Sequence, residues 1–403
     1  MPNASSSLAI VRAIKETVFG VTPIAGNSTV LRIKGESLDF DLTKTPSAEI
    51  NDTRTIADVM PTSAKATGGL MMEMRAIGIE EFMESALQSA FVKFGTAGLG
   101  AATATTNIAA NSINAAVATS GTSAFTALAQ GQWFRIVSAG ANNGKIARVS
   151  TTVAPTASVL TVDASTPLVV SSGESIQIQS ARLTHGTVQT SFTIERQNPD
   201  IGVFMAYRGM TPEKYNLKVA SGALSEASFE FIGKDAIEGV ATVMPGTAIP
   251  ADAFAIHSGV SGATNAIWMD GAPISGTFAK SADLAFNNSL RSQEAIGTLG
   301  AIGIGSGTID CQISMQIYFA DKSTFAKFRL NQNQAVSFAT TDAAGNGYIV
   351  TLPACSITKW KSNASAKDQD QMVDLTLMAL RDAANPTVAL RRAIFIDRVG
   401  VAG

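Results

Sequence analysis

Between Ile309 and Phe319 the chain alternates without a break. Ile309, Cys311, Ile313, Met315, Ile317 and Phe319 are apolar, and Asp310, Gln312, Ser314, Gln316 and Tyr318 stand between them. Such a run is an extended strand with one face in a core and the other against water or polar surface. Fully burying each large apolar side chain is worth roughly 1.5–3 kcal/mol. A slip of one residue would put the whole apolar set in water, so the register is pinned. The rest of the chain must then supply a layer to cover that face.

The surroundings of this strand follow a pattern that occurs twice. In the first copy Leu38, Phe40 and Leu42 alternate with Ser37, Asp39 and Asp41. A polar excursion runs from Thr43 to Lys65, then Leu70, Met72 and Met74 alternate again. Ile79, Phe82, Met83, Ala86 and Leu87 close the block at helical spacing, with Glu80, Glu81 and Glu84 turned outward near the positive end of the helix. The second copy opens on Leu284 and Phe286, runs through Asn287 to Gly307, resumes at Ile309 and closes with Asp321 to Leu330. Residue identities match poorly, so the repeat is one of pattern, and it reads as a duplication.

A chain of 403 residues is too long for one ordinary core. The expected fold class is mainly β: two tandem β-sandwich or barrel domains, each with one short helix, plus a small inserted all-β module. Residues 1–95 form the first part of the first domain behind an N-terminal arm, in which Ser7 to Thr17 reads as a short helix. Residues 96–130 are an Ala/Thr/Ser/Gly-rich linker. The module covers 131–180, with strands at Trp133–Val137, Gly144–Ser150, Ser158–Asp163 and Glu174–Gln179. Turns are expected at Asn142–Gly144 and Ser171–Gly173. The first domain resumes over 181–240, 241–262 is a second linker, and 263–403 is the second domain. Tyr348–Leu352 and Cys355–Trp360 read as separate strands.

The composition excludes several functions. Only 15% of residues are charged and the formal net charge is −2. Electrostatic capture of nucleic acid needs a basic patch, which this chain does not offer. A sparsely charged surface suits close packing against copies of itself. His185 and His257 stand alone, without partners for a metal or a catalytic triad. The run Gly300 to Gly305 does not open a helix, so it reads as a loop and not as a phosphate cradle. Cys311 and Cys355 lack metal-ligand spacing and read as buried thiols. No enzymatic activity, cofactor or metal is expected. The start lacks the basic region and apolar core of a signal peptide, and no stretch reads as a membrane span.

Val30 to Phe40, the charged loop after it, and Gly68-Gly-Leu-Met-Met-Glu-Met74 resemble the tail tube proteins of long, non-contractile-tailed bacteriophages. So do Ser191 to Arg196, the run from Asp200 to Met210, and Ser228-Phe-Glu-Phe-Ile-Gly-Lys-Asp235. The resemblance covers the first domain and fades after Ser261. It implies a structural subunit whose β-sheets join into the inner barrel of a ring, with rings stacked into a hollow tube that genomic DNA traverses. Duplicated members use three subunits for a pseudo-six-fold ring. The partners implied are the chain itself, the tail terminator, the tail tip and tape-measure proteins, and DNA passing without sequence-specific contact. The implied location is the tail of the virion, after synthesis in the host cytoplasm.

By this resemblance the excursion is an inter-ring stacking loop, with Thr43, Glu49, Ile50, Asp52, Arg54, Ile56, Asp58 and Lys65 as its contact residues. The stacking role of Asn287 to Gly307 is in doubt, because that loop is Gly-rich and nearly uncharged. The polar faces of the alternating strands are expected to line the lumen: Asp39, Asp41 and Glu73 in the first copy, Asp310, Gln312, Ser314 and Gln316 in the second. The alternatives are a non-catalytic surface or fimbrial β-protein, or another virion structural protein. The 131–180 module is expected to decorate the outside.

Overall fold

The computed structural model describes residues 4–94, 100–115, 125–259, 267–274, 278–320, 322–363, 367–383 and 392–400. The parts of the first linker at 96–99 and 116–124, the end of the second linker at 260–262, and Asp321, expected to open the second helix, lie outside them.

The fold is mainly β, and its backbone is one antiparallel sheet that runs through both repeats. Its strands lie in the order Asp39–Pro46, Val59–Glu73, Glu226–Gly233, Val203–Ala220, Ala279–Asn287, Asp310–Tyr318, Met372–Ala379 and Gly347–Asn363. The first four belong to the first repeat and the last four to the second. Each quartet places its strands in the same order: first, second, fourth, third along the chain. The halves join where Lys214 to Ala220 pairs with Ser281 to Asn287.

A second layer repeats as well. Ile10–Lys15 pairs with Phe192–Asn198, which pairs with the start of Val203–Ala220, which pairs with Asp235–Gly239. In the second repeat the equivalents are Ile267–Met269, Gln334–Thr341, the start of Gly347–Asn363, and Phe395–Val399. The long third strand of each quartet thus passes from one layer to the other. Tyr207 and Tyr348, each five residues before a proline (Pro212, Pro353), are fully buried in it.

The core fills the space between the layers. One row across the sheet reads Met72, Ala227, Leu217, Leu284, Ile313, Leu377 and Ile357, all buried. Helix α1, Glu80–Ala86, caps the first repeat. Its Phe82 ring lies 4.9 Å from Phe192 and 5.6 Å from Phe229 and Phe231. Helix α2, Ser323–Arg329, holds the same place in the second repeat. Cys311 and Cys355 are free and buried. Burial pushes both thiols up, Cys355 to about 12.

Several local expectations need correction. Ser7 to Thr17 is not one helix: only a 3-10 turn at Ser6–Leu8 is helical, and Ile10–Lys15 is a strand whose Val11 to Ile14 are all buried. With both faces covered, its apolar residues lose the period of two. Tyr348–Leu352 and Cys355–Trp360 are one strand. Ser171–Gly173 is a bulge inside Ser171–Gln179, not a turn, with Gly173 at φ 73°. Glu80 and Glu84 are not free in solvent. Glu80 pairs with Arg398 at 2.7 Å, and Glu84 accepts from the Phe91 N–H at 2.8 Å.

The module is larger than its expected bounds. Gly100–Ala109 and Ser112–Ala115, expected as linker, join its sheet. The order is Ile146–Arg148, Trp133–Ser138, Ser171–Gln179, Gly100–Ala109, Ser112–Ala115, Val159–Thr161. A bridge between Val149 and Val162 closes it into a small barrel. Trp133 anchors this barrel to the second repeat, with its ring 4.6 Å from Trp268 and its indole N–H donating to Thr351 at 3.2 Å.

His257 is buried where the repeats meet. Its backbone bonds Met74 and Ser225 of the first repeat, and its Nδ1 lies 3.1 Å from the Thr340 hydroxyl of the second. Burial lowers its pKa to about 4, against a weaker opposing pull from Asp342. An unfolded histidine titrates near 6.5. Below that pH the unfolded chain takes up a proton that the folded chain refuses, so stability is full above about 6.5 and falls as pH drops towards 4. The expected loss is of order 2 kcal/mol. Thermal melts at pH 7 and 4.5 check it, and His257→Gln should remove that part of the slope.

Candidate assembly surfaces

The face of the eight-stranded sheet opposite the core is polar. One row across it reads Glu73, Glu226, Lys218, Asp283, Ser314, Thr376 and Lys359. The adjacent row is Met71, Ser228, Asn216, Ala285, Gln312, Met378 and Ser356. Asp310 pairs with Asn287, and Gln316 lies between Ser281 and Asp374, with its amide donating to Asp374 at 3.0 Å. Asp39 and Asp41 stand opposite Thr67 and Lys65 on this same side. The register therefore brings all seven residues expected to line a channel onto one face of one sheet.

Sequence reasoning missed the lysines among them. Lys214 bonds Glu230 at 2.6 Å, and Lys34 bonds Glu226. These hydrogen bonds raise the pKa of both amines. Lys218 sits between Glu226 and Asp283, and burial raises the Asp283 carboxyl despite that lysine. The face is mixed in sign, with its positive charges next to acids. The missing signal was the pairing between Val203–Ala220 and Ala279–Asn287, which no local pattern reveals.

The stretch from Thr43 to Lys65 is not a loop throughout. Asp39–Pro46 and Val59–Glu73 pair from Asp39–Thr67 out to Pro46–Val59, so Thr43 and Lys65 lie in a two-stranded stem. Strand Glu226–Gly233 stops at Ala66, and the hairpin projects past it as an arm. Glu49, Ile50, Asp52, Arg54, Ile56 and Asp58 occupy the tip, which is closed by the Ser47 N–H donating to the Asp58 carbonyl at 2.8 Å. Asn51 donates to the Thr55 carbonyl at 2.6 Å, and Arg54 takes φ 58°. Ile50 is fully exposed (102%) and Ile56 is 66% exposed. Val59 and Met60 on the stem add to this apolar surface.

The matching loop of the second repeat behaves differently. Arg291–Gln293 and Gly303–Gly305 form a small hairpin whose Leu290, Ala301 and Ile304 pack on Ile232 and Phe19 of the first repeat. The Leu299 carbonyl accepts from the Ala64 N–H at 2.9 Å. This loop clasps its own chain. Among the described residues no cluster of histidine, cysteine or carboxylate groups could hold a metal, and no helix is long and apolar enough to cross a membrane.

A duplicated sheet with a polar face and a projecting arm is a polymer subunit in outline. The model of one family, phage tail tube protein, matches residues 6–379, nearly the whole chain. This chain belongs to the phage tail tube family. No curated protein matches it. Membership makes the chain a structural subunit of the virion tail that assembles with itself into a tube. The matched span of this tail tube subunit runs from the N-terminal strand through Met372–Ala379 and ends before Phe395–Val399.

Proposed function

We propose that the subunit closes into rings of three copies, whose six repeats give pseudo-six-fold symmetry, and that the rings stack into the DNA conduit of a long, non-contractile tail. The reading includes no enzymatic step. The observation that supports it most is the single sheet running through both repeats, apolar on one face and polar on the other. Curved into a ring, such a sheet presents a continuous, largely polar wall to a lumen. Lysines neighboured by acids leave few free cations to hold phosphates, so DNA slides without sequence-specific contact. The arm at one rim reaches the next ring. The opposite rim carries a groove of about 390 Å³ whose lining includes Val219, Ile267, Ile274, Phe278 and Phe338 and which suits the arm's isoleucines. The tail terminator, tip and tape-measure proteins are the further partners of this reading, and the small barrel faces outward.

Electron microscopy of concentrated protein with mass photometry of dilute protein tests it. Hollow tubes built of three-copy rings are expected. Six-copy rings overturn the stoichiometry and leave the conduit. The lumen assignment has its own test. Changing both Gln312 and Gln316 to Arg adds two cations per copy to this face, beside Asp310 and Asp374, which accept from the neutral amides of these glutamines. The shift towards positive charge should slow DNA release from assembled particles, as followed by dye fluorescence. Release at the normal rate would mean that another face lines the channel.

A further inference from the structure

The two helices are counterparts. From Phe82 to Leu87 and from Phe325 to Leu330 the spacing is the same, and the next residues, Gln88 (φ 53°) and Asn331 (φ 49°), both turn left-handed. Their burial differs sharply. Phe82 is 3% exposed and Leu87 is fully buried, whereas Phe325 is 42% and Leu330 58% exposed.

Phe82 packs on the rings of its own repeat, and the cover of the helix's last turn comes from across the sheet. Helix α1 rests on Val203–Ala220 and α2 on Gly347–Asn363, the third strand of each quartet. Val203–Ala220 is flanked on its far side by Ala279–Asn287, the first strand of the second repeat. The loop after that strand completes the cover of α1: the Asn288 amide donates to the Ala86 carbonyl, and Gln88 donates to Ser306 at 2.9 Å. The stretch 356–363 has no strand on the corresponding side among the described residues. At the other end of the sheet Asp39–Pro46, the first strand of the first repeat, likewise has no outer partner among them.

The open edges are opposite in charge. Lys359 and Lys361 stand on the polar face of one, opposite Thr376 and Asp374, and Asp39 and Asp41 stand on the same face of the other. The internal joint has the same polarity, with Lys218 on the third strand facing Asp283 on the first.

We propose that the outer edge of 356–363 and the exposed face of α2 form a docking surface for a second copy of this chain. The copy's Asp39–Pro46 strand pairs antiparallel with 356–363, as Ala279–Asn287 pairs with Val203–Ala220. Its Phe40 and Leu42 continue the core face beyond Ile357 and Trp360, and the chain that follows covers Phe325 and Leu330. The joint is head-to-tail, so it links copies into a closed ring or an open helix and not an isolated dimer. It rests on the tube reading only in taking the copies to close a ring.

A charge swap tests it. Lys359→Asp with Lys361→Asp, or Asp39→Lys with Asp41→Lys, places like charges across the joint. Each pair should raise the protein concentration needed for assembly by more than about tenfold. All four changes in one chain restore opposite charges at every joint and should bring assembly back. Phe325→Glu with Leu330→Glu should block assembly independently. All these residues are exposed or half-exposed, so circular dichroism should stay that of the wild type, and melting should fall only slightly where Lys361→Asp faces Asp374 and Asp41→Lys faces Lys65. Tubes from the lysine variant at wild-type concentration, or no recovery in a folded four-fold variant, overturn this joint and leave the tube reading standing. A wild-type chain that stays monomeric at every concentration overturns both.

Discussion

Replacing Ile50 and Ile56 by Asp should abolish tube growth while leaving the monomer folded and its lateral joints intact. Both side chains project from the tip of the arm and touch little of their own chain, so their replacement costs the fold almost nothing. An apolar side chain this exposed gains free energy only when a partner covers it, roughly 1.5–3 kcal/mol each on full burial. The gain recurs at every arm of every ring interface, so its loss multiplies along the tube. The expected product is isolated rings, visible by electron microscopy and by sedimentation at ring mass. Tubes of normal length from this variant would show that the arm does not mediate stacking.

The largest effect on stability is expected at Asp397. It is fully buried on the last strand, Phe395–Val399. Its carboxylate takes the Arg182 guanidinium in two bonds, 2.6 and 2.7 Å, and accepts from the Trp133 N–H at 3.0 Å. Arg182 also donates to the Gln130 and Gly131 carbonyls. This one acid therefore ties the second repeat, the small barrel and the segment returning to the first repeat. Asp397→Ala leaves a buried guanidinium without its counter-charge and should cost about 3–5 kcal/mol. Denaturant melts give the number. Changing Arg182 to Met as well should recover part of it, because the uncompensated charge is then gone.

Much of this was legible in the sequence wherever burial is one-sided. The alternation from Ile309 to Phe319 became Asp310–Tyr318, with Cys311, Ile313, Met315 and Ile317 buried and Asp310, Ser314 and Tyr318 exposed. Helix α1 and the strands beginning near Trp133 and Ser158 were readable for the same reason. The failures occur where that asymmetry is missing. Ile10–Lys15 is covered on both faces, and apolar residues at 10, 11, 13 and 14 then mimic a helix. The arm's stem is wet on both faces, so Thr43 to Pro46 carries no alternation. In Gly100–Ala109 the small residues Ala and Thr conceal the period, although the β-branched threonines favour extended chain. The tyrosines five residues before Pro212 and Pro353 were an available sign that the third strands match. The polar-face residues were found because strand alternation is local. Lys214 and Lys218 were not, because the neighbours that define their role are distant in sequence.

The ladder between Lys214–Ala220 and Ser281–Asn287 has a consequence for how a tube level comes into being. A joint between separate molecules must overcome the loss of translational and rotational freedom, an estimated 4–15 kcal/mol, and forms only above some concentration. This joint is made within one molecule as the chain folds, so dilution cannot undo it. Every second seam in such a wall is then inherited from folding, and only the seams between are negotiated on assembly. Fewer encounters stand between newly made protein and a closed level. Under dilution the wall should come apart into two-repeat blocks and never into single repeats.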